Sequence, residues 1–447
     1  MLNFRLSHLI TWRWILGICL FSAITQARQE ADVAIQIEKS LPNSWILTYQ
    51  TTRPASRLAF VRNPDASRTQ RWQPLQSDFE IIYEQDEEFI KRKDNSPFTQ
   101  VSLRLTPTYK HLSKDYAPFS PYSDGGNLIY TGRLFACIER CTSDINGWSI
   151  SLTIPPNEHM LLAGQVISGE AHWQDYDDGR NVYVGNQMPI ITSHVIAQVD
   201  SGLPPQLQGT LAGDIPAFMD FFAAKLGKLM GEKPMLFASY AKVKDGSAQG
   251  GTLPNQIFMH WNRDDLSAQD ATPEFQNNTL WFFAHEVAHL YQHGSQEQVY
   301  ADAEASWLHE GHADYLASQA LLAQHPQLAD YVSERFAKAR TSCQKGLAQI
   351  GLHDAAEQGQ FHLYYSCGML IHQAIDRAWQ NNSADKLTTF DLWQDYRKRV
   401  GQGQKAGAVT FWQVAKQYLP APLYNQLLGL TEQKLDDPKA TLKMLTE

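Results

Sequence analysis

The chain has 447 residues, 43% of them hydrophobic and 19% charged, a balance that excludes a disordered or fibrous protein and places it among globular ones. Its 38 lysines and arginines against 47 acidic residues give a net charge of -9, which speaks against capture of nucleic acid by a general basic field. At roughly 150 residues per domain there is chain for about two or three domains, each able to bury a core.

In chain order, residues 1–27 read as an export signal. Arg5, His8 and Arg13 precede an apolar run from Trp14 to Ile24, and Thr25-Gln26-Ala27 supplies small residues for cleavage. The run is about half the ~20 residues that span a bilayer, so no retained anchor is expected, and no later segment offers one. Cys19 follows Ile18 rather than a small residue, which disfavours lipidation there. The expected product is exported, periplasmic or secreted, with no integral span.

From Arg28 to Val199 short apolar runs alternate with turn residues, as in Trp45-Ile46-Leu47-Thr48-Tyr49 and Trp148-Ser149-Ile150-Ser151-Leu152. This period of two marks half-buried strands, and the Pro, Asn, Asp and Gly clusters between them fit a β-sandwich over 28–199. Cys137 and Cys141 lie here, with Cys343 and Cys367 far downstream. Three pairings are formally open; proximity favours Cys137 with Cys141 and Cys343 with Cys367, and no C-x-x-C supports thiol-bound zinc.

The Gly- and Pro-rich stretch 200–216 reads as a linker. Asp214 is then expected to cap a helix whose apolar positions Phe218, Met219, Phe222, Leu226, Leu229 and Met230 recur at helical spacing, closed by Gly231. Strands follow at Met235–Tyr240 and Gln256–Trp261, and beyond residue 275 the pattern is helical. The fold class is therefore multidomain α+β, with a domain over 217–325 and a further helical region over 326–447.

His285-Glu286-Val287-Ala288-His289 forms H-E-x-x-H, with Asn278 or Thr279 as candidate caps and Gly294 as the stop. On a helix the two imidazoles stand one turn apart on one face, where both reach one metal ion, and Glu286 lies on the adjoining edge as a candidate base. Zinc that activates water needs a third protein ligand. The metzincin signature fails, because Gln292 and Ser295 stand where it requires Gly and His. His293, beside the helix-ending glycine, is a weak third imidazole. Downstream, Trp307-Leu308-His309-Glu310-Gly311-His312-Ala313-Asp314-Tyr315 puts Glu310 and Asp314 on one helical face, one to bind metal and the other to orient a ligand imidazole. Gly311 and Ala313 are small enough for close helix packing, and His312 points away from that face as a structural or solvent-exposed residue.

H-E-x-x-H followed by W-L-x-E-G-x-A-x-Y resembles the gluzincin metallopeptidases, especially the aminopeptidase N and leukotriene hydrolase family and the glycyl aminopeptidases. The resemblance implies a thermolysin-like catalytic domain in which His285, His289 and Glu310 bind one zinc ion and Glu286 is the general base. It implies that Asp314 supports the first histidine. Tyr365-Ser366-Cys367-Gly368 resembles the family's Y-x-x-G helix start, which gives Tyr365 the role of oxyanion donor, with Tyr364 as the competitor. Against the family's G-x-M-E-N strand this chain has Gly251-Thr252-Leu253-Pro254-Asn255: Gly251 and Asn255 match as substrate-binding positions, while Pro254 replaces the glutamate that grips a free amino terminus. The reading is an exported zinc peptidase acting on peptides or proteins, with an aminopeptidase as the type the resemblance implies. The alternatives are a zinc hydrolase of non-peptide bonds and a silent peptide-binding or assembly protein on the same scaffold; the sequence leaves the oligomeric state undefined.

Overall fold

The computed structural model describes residues 29–41, 43–112, 115–244, 246–294, 299 and 303–446; the expected export signal lies outside them. The N-terminal part is built from β-sheets and is followed by a largely helical part. A six-stranded sheet is built around Gln29–Leu41, which pairs in parallel with Ile145–Thr153 and antiparallel with Ser44–Ala55. The period of two holds in Ser44–Ala55, where Trp45, Leu47 and Tyr49 are buried and the residues between them are only half-buried. A four-stranded sheet that includes Arg57–Phe60 and Glu87–Arg92 shares its core through Leu58, Phe60 and Ile90.

A third sheet departs from a simple two-layer sandwich. Its strand Asn181–Gly185 is buried throughout, with Val182 and Val184 packed into the N-terminal core and Tyr183 facing the opposite way. Tyr183 joins a separate cluster with Phe237, Leu253 and Phe258 of the following sheet. Covering both faces of a strand requires the continuous apolar run seen here, and it couples the two parts of the chain through side-chain packing.

That following sheet has the order Ile190–Ile191, Ile196–Val199, Met235–Ala241, Gln256–Asn262, Ser247–Leu253. The first two strands precede the expected junction yet hydrogen-bond into this sheet. Ser247–Leu253 is its edge strand.

Helix formation begins earlier than the sequence suggested. The stretch expected to be a linker is helical from Pro205, and the helix runs to Leu226 with Gly209, Gly213 and Pro216 inside it. Tertiary burial overrides these weak formers: Leu207, Leu211 and Ile215 continue the stripe of Phe218, Met219 and Phe222 into one core. Pro at the first helical turn costs nothing, because its missing N–H would be unpaired there anyway. Asp214 is consequently mid-helix and pairs with His325 at 2.9 Å instead of capping. The helix stops at Gly227, with φ at 90°, so Met230 lies beyond it and is exposed.

The helix carrying H-E-x-x-H spans Pro273–His293, capped by the Thr272 hydroxyl, which accepts the Phe275 N–H. This corrects the cap from Asn278 or Thr279, both of which lie inside the helix; Gly294 ends it as expected. The helix Glu310–Gln324 and the helix His362–Asn382 complete the group. These three are called the histidine, glutamate and tyrosine helices below. The last two meet through glycines: a Cβ on Gly311 would run into the Gly368 backbone, and one on Gly368 would lie 2.7 Å from the Trp307 carbonyl oxygen and 2.8 Å from the Gly311 Cα. Two disulfides form, Cys137–Cys141 and Cys343–Cys367, and the second ties Ala329–Leu347 to the tyrosine helix. Among the described residues no helix is long and apolar enough to cross a membrane.

Candidate metal centre

The histidine helix carries His285 and His289 one turn apart, both buried, with their Nε2 atoms 2.9 Å from each other. Glu310, at the start of the glutamate helix, brings Oε2 to 3.2 Å from each of those nitrogens. The ligand atoms of these three residues all lie within 4.8 Å of one another, and this is the one such cluster found among the described residues. His293 is not part of it.

Each imidazole is turned by a hydrogen bond on its far side. His285 Nδ1 donates to Asp314 Oδ1 at 3.0 Å, and the same oxygen accepts the Trp281 indole N–H at 2.7 Å. His289 Nδ1 faces Gln292 Oε1 at 2.8 Å. With Nδ1 protonated, the lone pair of each ring is on Nε2 and points into the cluster. Two nitrogen donors and one carboxylate oxygen match the ligand chemistry of a divalent zinc ion with an open position. Burial disfavours the charged form of His285, but Asp314 and Glu310 hold its pKa well above the usual value. Burial also works against the Glu310 carboxylate, and the facing His289 and His285 imidazoles hold it well below the usual range. The Asp314 and Glu310 carboxylates thus favour positive charge at His285, as a proton or as a bound cation that displaces it.

Glu286 is buried beside the ligands, and its carboxylate accepts the Thr252 hydroxyl from the edge strand. The tyrosine helix presents Tyr365, whose ring stacks on His285 at 5.7 Å between centroids and is 38% exposed. Burial raises its hydroxyl pKa, and the Glu310 and Glu286 carboxylates raise it further, so the phenol keeps its proton. Tyr364 is 1% exposed, and its hydroxyl oxygen accepts the Ala356 backbone N–H inside the helical core. The two tyrosines therefore occupy different environments, and Tyr365 is the one beside the histidines.

The edge strand treats the remaining candidates differently. Gly251 lies under Tyr116, a residue of the N-terminal part, and a Cβ there would collide with the Tyr116 hydroxyl. Gln249 on the same strand fastens that neighbour: its amide donates to the carbonyls of Leu112 and Asp115 at 3.0 Å each and accepts the Ala117 N–H at 3.2 Å. Asn255 sits with Pro254 in the hairpin turn, at φ 58°, where its amide donates to the Glu232 and Lys233 carbonyls at 3.2 Å each. Its side chain thus ties the hairpin turn to the segment that leads into Met235–Ala241.

Sequence reasoning passed over four residues of the site. Gln292 entered only as a mismatch to another motif, although its position three after His289 puts it on the same helical face. His309, lodged beside the third ligand, sets Nε2 3.4 Å from Glu310 Oε1. Thr252 and Tyr116 carry no local signal, because only tertiary packing brings them to Glu286 and Gly251. His312 is buried and bonded to Gln292 and Thr389, which selects the structural over the solvent-exposed placement.

No protein-family model and no curated protein sequence matches this chain. Solved structures do match it. An aminopeptidase N family protein from Idiomarina loihiensis aligns with a TM-score of 0.66 at 13% identity, covering 92% of this chain and 78% of that one. An M1 zinc metallopeptidase from Deinococcus radiodurans gives a TM-score of 0.51 at 15% identity, covering 92% and 95%. Leukotriene A4 hydrolase from Saccharomyces cerevisiae gives 0.52 at 12% identity, covering 91% and 69%. The chain has the fold of the M1 zinc metallopeptidases, with the cluster of His285, His289 and Glu310 within it.

Proposed function

We propose that this chain is a zinc-dependent peptidase that hydrolyses peptide bonds, with His285, His289 and Glu310 as its metal ligands. The observation that carries the reading is the convergence of those three ligand atoms beside Glu286, on a fold shared with zinc metallopeptidases. Bound there, zinc supplies Lewis acidity, polarising the scissile carbonyl and acidifying water.

The protein's own groups supply the proton transfers. Glu286 takes a proton from the attacking water and delivers it to the leaving amine, as a general base and then a general acid. The Thr252 hydroxyl holds one of its carboxylate oxygens, which leaves the other to accept that proton. Tyr365, kept protonated, donates a hydrogen bond to the carbonyl oxygen as it gains charge, an interaction stronger in the transition state than in the ground state. Asp314 acts through His285 and holds its ring in place. Gly251 makes room for Tyr116 against the edge strand, while Pro254 supplies no carboxylate for a substrate ammonium.

We further infer that the protein works outside the reducing cytoplasm. The disulfides Cys137–Cys141 and Cys343–Cys367 support this, as does the apolar N-terminal run.

The test combines metal analysis with digestion of a peptide library. One zinc per chain and metal-dependent cleavage are expected, and Glu286→Gln should keep the zinc while losing at least ~100-fold in turnover, the scale of general-base catalysis. Undiminished cleavage by Glu286→Gln would refute the assignment of the base, and a metal-free protein would refute the peptidase reading as a whole.

A further inference from the structure

We infer that Gln292 is the positioning residue of His289, setting which ring nitrogen is offered to the metal; the inference rests on the zinc reading above. The evidence is a chain of buried polar groups with one self-consistent set of protons. Gln292 is completely buried, so its amide must find partners within the protein. An amide's two ends are told apart by what they face. Gln292 Nε2 lies 2.9 Å from the His309 carbonyl oxygen, which only accepts, so that end is the NH2 group.

The opposite end is then the oxygen, 2.8 Å from His289 Nδ1. A carbonyl oxygen cannot donate, so Nδ1 carries the proton and Nε2 keeps the lone pair that faces His285 and Glu310. The second amide hydrogen of Gln292 goes to His312 Nδ1 at 3.1 Å. His312 must therefore be protonated on Nε2, which donates to the Thr389 hydroxyl at 3.1 Å. No other arrangement satisfies the whole chain from Thr389 to His289.

The anchor is held by packing as well. His312 packs against Trp393 with tilted rings whose centroids are 4.1 Å apart, and the Trp393 indole N–H donates to the Gln292 backbone carbonyl at 3.0 Å. Rotation of the Gln292 amide would press its oxygen onto the His309 carbonyl and leave His312 Nδ1 unpaired, so the sense of the amide is fixed from behind. The two ligand histidines are thus oriented by chemically different groups: a carboxylate from the glutamate helix for His285, and a neutral amide three residues along the same helix for His289.

The test is zinc affinity in competition with a chromophoric chelator, not turnover. Gln292→Met keeps the length and bulk of the side chain but offers no acceptor, and zinc should bind about 10- to 100-fold more weakly, the range for loss of a group supporting a metal ligand. Thr389→Val removes a buried hydrogen bond at the far end of the same chain of groups and should leave zinc affinity near the wild-type value. Wild-type affinity in Gln292→Met would overturn the inference, as would an equal loss in both variants, which would mark a general packing effect. A second measurement needs no variant: with isotope-labelled histidine and cadmium in place of zinc, NMR should show the metal coupled to His289 Nε2 and a proton on Nδ1. Coupling to Nδ1 would overturn the inference even if Gln292→Met failed to fold. Wild-type protein that takes up neither metal would instead overturn the zinc reading, and this inference with it.

Discussion

Gly368→Ala is a small perturbation with a large lever arm on the site. The added methyl would sit 2.7 Å from the Trp307 carbonyl oxygen and 2.8 Å from the Gly311 Cα, where ordinary contact begins near 3.4 Å. Both neighbours are backbone, so no side chain can swing aside, and the tyrosine and glutamate helices must part by about 0.6 Å or more. Overpacking of this kind costs roughly 1–3 kcal/mol, of which the better helix propensity of alanine offsets about 1. A net loss of roughly 1 kcal/mol should appear as a lower urea midpoint at unchanged slope. The effect on the site is selective. His285, His289 and Glu310 sit on the other two helices, so zinc content should hold, while Tyr365, three residues before Gly368, is carried away from them. A displacement approaching 1 Å can cost ~100-fold in rate, so kcat should fall by roughly 10- to 100-fold with KM little changed. Gly429→Ala is the control, because its Cβ would meet open space. If Gly368→Ala matched the wild type in both midpoint and kcat, the glycine contact would not be setting the position of Tyr365.

Three further predictions follow from named contacts. Tyr365→Phe should keep zinc and lower kcat by roughly 100-fold, whereas Tyr364→Phe should spare turnover and cost ~1–3 kcal/mol of stability by leaving the Ala356 N–H unpaired; the reverse order would exchange their roles. Removing the buried Cys343–Cys367 bridge, which closes a sequence separation of 24, should cost ~3 kcal/mol in the chain-entropy model, and an unchanged urea midpoint for the double alanine variant would refute it. Because Pro254 offers no carboxylate, a peptide and its N-acetylated twin should be cleaved at similar rates; loss of cleavage on acetylation would mean that another acidic residue holds the amine.

What the sequence made legible was local. His285 and His289 are one helical turn apart in any helix, as are Glu310 and Asp314, so their shared faces follow from spacing alone. Trp45, Leu47 and Tyr49 declare a strand by the same kind of regularity. The misreadings arose where local chemistry and tertiary burial disagree. Gly209, Gly213 and Pro216 argued for a linker, but Leu207, Leu211 and Ile215 bury enough surface to extend the helix through them. Strand Asn181–Gly185 shows no clean alternation, since both its faces are covered, and so the sheet joining the two parts of the chain was invisible to a period of two.

The residues that hold the ligands and the base come from several elements, which bears on how the site is assembled. Asp314 meets His285 from the glutamate helix, Gln292 meets His289 from the histidine helix, and His309 meets Glu310 from just ahead of its own helix. Thr252 reaches Glu286 from the edge strand, and that strand is in turn fastened through Gln249 to the backbone around Leu112 and Asp115. The orientation of the base therefore depends on a strand whose other face carries Tyr116 from the N-terminal part. Those β-sheets are then more than an appendage. They pack against the strand that holds Glu286 in line, so disturbance at Gln249 or Tyr116 should reach the proton-transfer step before it reaches the metal ligands, which are oriented from the helices alone.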